Sequence, residues 1–146
     1  MSDGSAMAGR EILAAEALAA NAAFYRAFAG RDFERMQALW ASGAPVTCIH
    51  PGWNAVRGRE GVLASWRSIL SSPESPAVAC ANATAYPHGE SAYVVCEEHI
   101  ADAVLIATNV FVREQGDWKL VHHQAGHVVA RVPEPAGPPR GGRTVN

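Results

Sequence analysis

Positive charge in excess is the first thing this sequence lacks. Twelve Lys and Arg stand against fourteen Asp and Glu, a formal charge of -2 and a pI near 6.3, which gives no electrostatic footprint for nucleic acid or for an anionic membrane surface. Neither is expected as a partner. Cysteine is also scarce: Cys48, Cys80 and Cys96 are odd in number and show no CxxC spacing, so a disulfide framework and a zinc ribbon are both disfavoured and a reducing compartment fits best. No apolar run approaches the ~18 residues that span a bilayer. The first ten residues, MSDGSAMAGR, place an acid where a secretory leader carries a basic segment and then an apolar one. The expected location is therefore cytoplasmic. Internal repeats are missing, as are GxGxxG, GxxxxGK[ST], GxSxG and HExxH, the usual entry points to nucleotide, hydrolase and zinc-protease chemistry.

What is present is apolar surface. Hydrophobic residues make up 49% of the 146 and charged ones only 18%, enough to offset the entropy of folding in one ordinary domain. From Glu11 to Ala29, Leu13, Ala17, Ala20, Phe24 and Phe28 recur at helical steps, and Gly30 ends the run. Asp32 can cap a second helix carrying Phe33, Met36, Leu39 and Trp40. A short strand is predicted over Val46–His50, ended by Pro51 and Gly52, and a third helix over Arg59–Leu70, ended by SSPESP. After residue 76 the period changes to two. Four strands are predicted, Ala77–Ala85, Ser91–Ile100, Val104–Glu114 and Trp118–Val129, joined by connections of hairpin length. Helices first and strands second is the order of an α+β domain whose three N-terminal helices cover one face of a curved, mostly antiparallel sheet. Residues 1–10 read as a flexible N-terminus, 11–130 as the domain and 131–146 as a Pro/Gly-rich tail too poor in apolar surface to order itself.

The helix-helix-strand-helix-sheet order, the segment TCIHPGWNAVRGREGVLASW (Thr47–Trp66), the strand ATNVFVRE (Ala107–Glu114) and DWKLVHHQAGHV (Asp117–Val128) resemble the nuclear transport factor 2-like superfamily, and more narrowly its SnoaL-like branch. The resemblance spans roughly residues 15 to 129. It implies a cone-shaped domain, a cystatin-like roll, in which bent sheet and helices enclose a pocket, commonly as a homodimer through the sheet. Its members include ketosteroid isomerases, polyketide cyclases, dehydratases, a kinase association domain and catalytically silent proteins. Where the branch often reads His-x-His-x-Ser late in the last strand, this sequence has His122, Gln124 and Gly126. No residue here matches the paired acids and tyrosine of the isomerases.

Alternation places Tyr93, Val95, Glu97 and His99 on one face of their strand, and Ala107, Asn109 and Phe111 on one face of the next. A carboxylate and an amide among Val, Ile and Phe cost roughly 1–3 kcal/mol or more if buried alone, so Glu97 and Asn109 face solvent, a backbone partner or a pocket. His122 and His123 point to opposite faces. Comparison with the kinase association domain favours the set Val121, His123 and Ala125 as concave. His50 ends its strand beside Trp53 at what the family makes the cone's mouth, where an aromatic and an imidazole suit an apolar ligand with one polar handle; a turn sealed by Trp53 fits equally well. Val62 and Trp66 share a helix face that suits core or cavity wall. Six histidines show no fixed ligand spacing, so no metal and no cofactor is expected. The three cysteines read as small packing residues.

Two functions follow. One is a small-molecule-binding domain, a homodimer whose pocket gathers Trp53, His50, Asn109, Val62, Trp66, Val95 and Phe111. The other is an enzyme of the isomerase, cyclase or dehydratase type, with His123 or Glu97 moving a proton. In either, Asn109→Leu is expected to leave stability nearly unchanged while weakening a ligand.

Overall fold

The computed structural model describes residues 3–133. Three helices come first: α1 (Asp3–Ala29), α2 (Phe33–Leu39) and α3 (Arg59–Ser71). Helix α1 starts eight residues before the Glu11 expected from periodicity, so residues 4–10 add exposed helical turns ahead of the apolar face. Its end is dictated locally. Gly30 N–H returns to the Arg26 carbonyl, and a Cβ at Gly30 would stand 2.9 Å from that oxygen, too close for any other residue. Asp32 then caps α2 by accepting a hydrogen bond from the Arg35 N–H at 3.1 Å.

The strands are β1 (Thr47–Ile49), β2 (Val56–Arg57), β3 (Ala79–His88), β4 (Ser91–Ile100), β5 (Ala103–Glu114) and β6 (Asp117–His127). They form one sheet in the order β2-β1-β6-β5-β4-β3. The expected four-stranded meander is there, but β1 joins it by parallel pairing with β6, and the unanticipated β2 pairs with β1 as a two-residue edge. The β5–β6 turn places Gln115 and Gly116 at φ 53° and 86°, the two positive values of a type I′ hairpin, which explains why a two-residue loop suffices.

Helices lie on one face only. The sheet side chains beneath them are Ala92, Val94, Cys96 and Glu98 on β4, Leu105, Ala107, Asn109 and Phe111 on β5, and Leu120, His123 and Ala125 on β6, all buried. From the helices, Phe24, Met36, Val62 and Trp66 fill the space, with Phe24 and Phe28 edge-on to Trp66 at 5.4 and 4.9 Å. This is an α+β, cone-like, cystatin-like fold. Among the described residues no helix is long and apolar enough to cross a membrane. The tail expected over 131–146 lies outside the described residues beyond residue 133.

Candidate functional site

A polar cluster sits inside this apolar interior, built by four elements. Helix α1 contributes Asn21 and Tyr25, one turn apart on its buried face. Strand β4 contributes Cys96 and Glu98, β5 contributes Asn109, and β6 contributes His123, which is the direct cross-strand partner of Asn109. Asn109 is the hub. Its amide donates to Asn21 Oδ1 at 2.8 Å and to the Tyr25 hydroxyl at 3.2 Å, and its Oδ1 accepts from His123 Nδ1 at 2.5 Å. Tyr25 in turn donates to Glu98 Oε2 at 2.6 Å, and the Cys96 thiol donates to Tyr25 at 3.4 Å.

These directions fix the protons. With Nδ1–H committed to Asn109, the His123 Nε2 lone pair faces Glu98 Oε2 at 3.8 Å, beyond direct hydrogen-bond length. Burial pulls His123 down to about 3, helped by the charges of His50 and His122, so the ring is neutral. Burial pushes Glu98 above the usual carboxylate range, opposed by the Tyr25 hydroxyl, and burial together with Glu98 pushes Tyr25 strongly up. The interior therefore favours a neutral acid, a neutral phenol and a neutral imidazole side by side. A second group adjoins it: His50 Nε2 meets Ser65 Oγ at 2.9 Å, Trp66 and Trp53 flank the ring at 4.9 and 4.7 Å, and burial lowers His50 to about 4.

The residues anticipated from sequence divide cleanly. The structure brings Asn109, His123, Phe111, Val62, Trp66 and His50 into one interior. It does not bring Glu97 or Val95 there. Both lie on the opposite face of β4, where Glu97 Oε1 pairs with His99 Nε2 at 2.8 Å; the buried carboxylate is its neighbour Glu98. The physical reason is the alternation of small and apolar residues: Ala92, Val94 and Cys96 pack under the helices, and Glu98 belongs to their set. Trp53 keeps its ring against His50 but is 49% exposed, so it is a rim residue and not a wall. His122 bonds Thr47 Oγ1 at 2.6 Å on the outer face.

The expectation for Asn109→Leu also changes. An amide making three buried hydrogen bonds is a structural bridge, and its loss strands donors and acceptors on two other elements. Asn21, Tyr25, Glu98 and Ser65 were not anticipated. Asn21 carried a signal, being the polar residue in an Ala17, Phe24, Phe28 stripe that otherwise faces the core.

The cluster reaches the surface at a groove between α1 and β3 of about 440 Å³, whose lining includes Leu18, Asn21, Ala22, Tyr25, Val78 and Cys80. Its polar lining is Asn21, Tyr25 and Cys80, which reach the network, and Arg26, which is exposed on α1. Among the described residues no group of three or more His, Cys, Asp or Glu is placed to hold a metal ion.

The SnoaL-like domain model matches residues 17–130, which takes in every residue of the cluster. The chain belongs to the SnoaL-like family, within the nuclear transport factor 2-like superfamily. Two solved structures are similar over most of their length. One, a "putative dehydratase" of the nuclear transport factor 2-like family from Streptomyces avermitilis, is 31% identical with a TM-score of 0.76, covering 82% of this chain and 99% of the other. The second, a "putative calcium/calmodulin-dependent protein kinase type II association domain" from Thiobacillus denitrificans, is also 31% identical, with a TM-score of 0.67, covering 75% and 93%. A cystatin-like fold protein from Caulobacter vibrioides, 17% identical with a TM-score of 0.69 over 77% and 87%, shares the fold. No curated protein matches the sequence.

Proposed function

We propose that the protein binds a small, uncharged, partly apolar molecule in the groove between α1 and β3, with one hydroxyl or carbonyl of the ligand turned toward Asn21 and Tyr25. The observation that carries this reading is the groove itself: an apolar trough of about 440 Å³ whose floor is the outward edge of the buried network. A charged group fits poorly against the network itself, where burial already disfavours ionised Glu98 and His123; the one cation of the groove lining, Arg26, is exposed on α1. Ala22, exposed on α1 and lining the groove, offers a test that leaves the core intact. Neutral alcohols, phenols and ketones should raise the melting temperature of the protein, and Ala22→Trp, which fills the groove, should abolish that rise. A rise of equal size in Ala22→Trp would place binding elsewhere.

A second reading, an acid/base enzyme of the dehydratase type, is favoured by the Glu98–His123 pair and by the name of the Streptomyces neighbour. A neutral acid facing an imidazole lone pair can give and take a proton. Turnover that is lost in Glu98→Gln while binding persists would select it; turnover that survives in that variant would eliminate it.

We also propose self-association through the sheet face away from the helices, where Tyr93 and Ile106 are 36% and 46% exposed beside Val95 and Val110. The association domain named among the similar structures supports it.

A further inference from the structure

Cys80 on β3 and Cys96 on β4 face the same side of the sheet. Their thiols share the Asn21 amide, whose Nδ2 stands 3.7 Å from Cys80 Sγ and 4.0 Å from Cys96 Sγ. The register pairs Cys80 with Glu98, so Cys96 lies on the diagonal two residues away. Diagonal Cα atoms in a regular ladder are about 7–8 Å apart. A disulfide asks for roughly 4.4–6.8 Å, so closure needs the strands to tighten by about an ångström. The sheet is irregular at that spot. The register shifts between Ala81 and Thr84, with Asn82 at φ 54°, and a bulged strand bends more readily than a paired one.

Access separates the three cysteines. Cys80 is half-buried and lines the groove between α1 and β3, Cys96 lies behind it beside the same Asn21 amide, and Cys48 is sealed in the core. A small oxidant entering the groove meets the Cys80–Cys96 pair and does not meet Cys48.

We propose that Cys80 and Cys96 are a peroxide-reactive dithiol that closes to an intramolecular disulfide across β3 and β4. The thiolate of the pair attacks one oxygen of a hydroperoxide, the O–O bond breaks, and the leaving hydroxide or alkoxide takes up a proton to give water or alcohol. The resulting sulfenic acid is attacked by the second sulfur; the S–S bond forms, the S–O bond breaks, and water departs with the second thiol's proton. Two electrons pass from the two sulfurs to the hydroperoxide. Because Cys96 donates to the Tyr25 hydroxyl, closure also removes a hydrogen-bond donor from the network beside Glu98.

The test is peptide mapping of the full chain after treatment with hydrogen peroxide and alkylation under denaturing conditions. Free thiols should fall from three to one, with the Cys80 and Cys96 peptides linked, Cys48 alkylated, and dithiothreitol restoring all three. Cys80→Ser should lose the link, and Cys48→Ala, which deletes the bystander thiol, should retain it. Three thiols surviving peroxide, a link between chains, or a link that persists in Cys80→Ser would each overturn the proposal.

Discussion

Glu98 is held between a phenol and an imidazole with its carboxyl shut away from water, and its behaviour should differ from that of a surface acid. Its folded-state pKa lies above the unfolded value, so its contribution to stability is present below the unfolded pKa and is lost as pH rises through the folded one. Glu98→Gln keeps an oxygen for the Tyr25 hydroxyl and removes the titration. The variant should therefore gain stability on the parent protein progressively as pH rises above the unfolded carboxylate pKa, read by urea unfolding; a difference that does not move with pH would mean that Glu98 titrates as an ordinary carboxylate. Asn109 answers to a different rule. Asn109→Leu leaves the His123 Nδ1–H and Asn21 Oδ1 buried without their partner, a loss of roughly 2–4 kcal/mol. A change under about 0.5 kcal/mol in the same urea experiment would show that the network rearranges freely.

Strand β4 shows where reading one element from its sequence succeeds and where it fails. Its limits, Ser91 to Ile100, were legible, because the period of two and the flanking Gly89-Glu90 and Ala101-Asp102 turns leave little choice. Which face looks inward was not settled by the polar residues, since Glu97 and Glu98 are adjacent and each face carries one. The answer lay in Ala92, Val94 and Cys96, whose small size suits a sheet pressed beneath α1. Strand β6 adds a second reason. Its ladder shifts register between Val110 and Phe111, so Leu120 and His123 are both buried although they are three residues apart, and strict alternation would have separated them. A bulge has no sequence signature here. Asn109 and His123 were legible on one face because their stretch of β5 and β6 pairs regularly. On β4 the consequence is testable by a matched pair: Glu97→Ala should change stability by no more than about 0.5 kcal/mol, whereas Glu98→Ala, which strands the Tyr25 hydroxyl and opens a cavity, should cost roughly 2–4 kcal/mol by thermal or urea unfolding. The reverse order would put the wrong carboxylate in the core.

Across the whole molecule, two neutral histidines set the acid limit. His50 and His123 stay unprotonated down to about 4 and about 3, whereas an unfolded imidazole takes its proton near 6.5. Their share of stability is complete above about pH 6.5 and is lost as pH falls toward the folded values, roughly 6 kcal/mol together by about pH 4. His50→Gln, which keeps a polar partner for Ser65, should shift the acid-unfolding midpoint downward by circular dichroism; an unchanged midpoint would mean that His50 is free to protonate in place. Self-association through the outer sheet face predicts that Ile106→Glu shifts the mass measured by light scattering from dimer toward monomer, while a monomer in both proteins would remove the interface. In the proposed binding mode the Asn21–Tyr25–Asn109 edge of the buried network receives a neutral ligand through the groove between α1 and β3. Amide chemical shifts recorded while neutral ketones, phenols and alcohols are titrated into the protein and into Ala22→Trp are the decisive measurement. Saturable shifts confined to Leu18, Ala22, Tyr25, Val78 and Ala83, and absent in Ala22→Trp, are the predicted result; shifts that bypass these residues, or that persist in the filled groove, would contradict it.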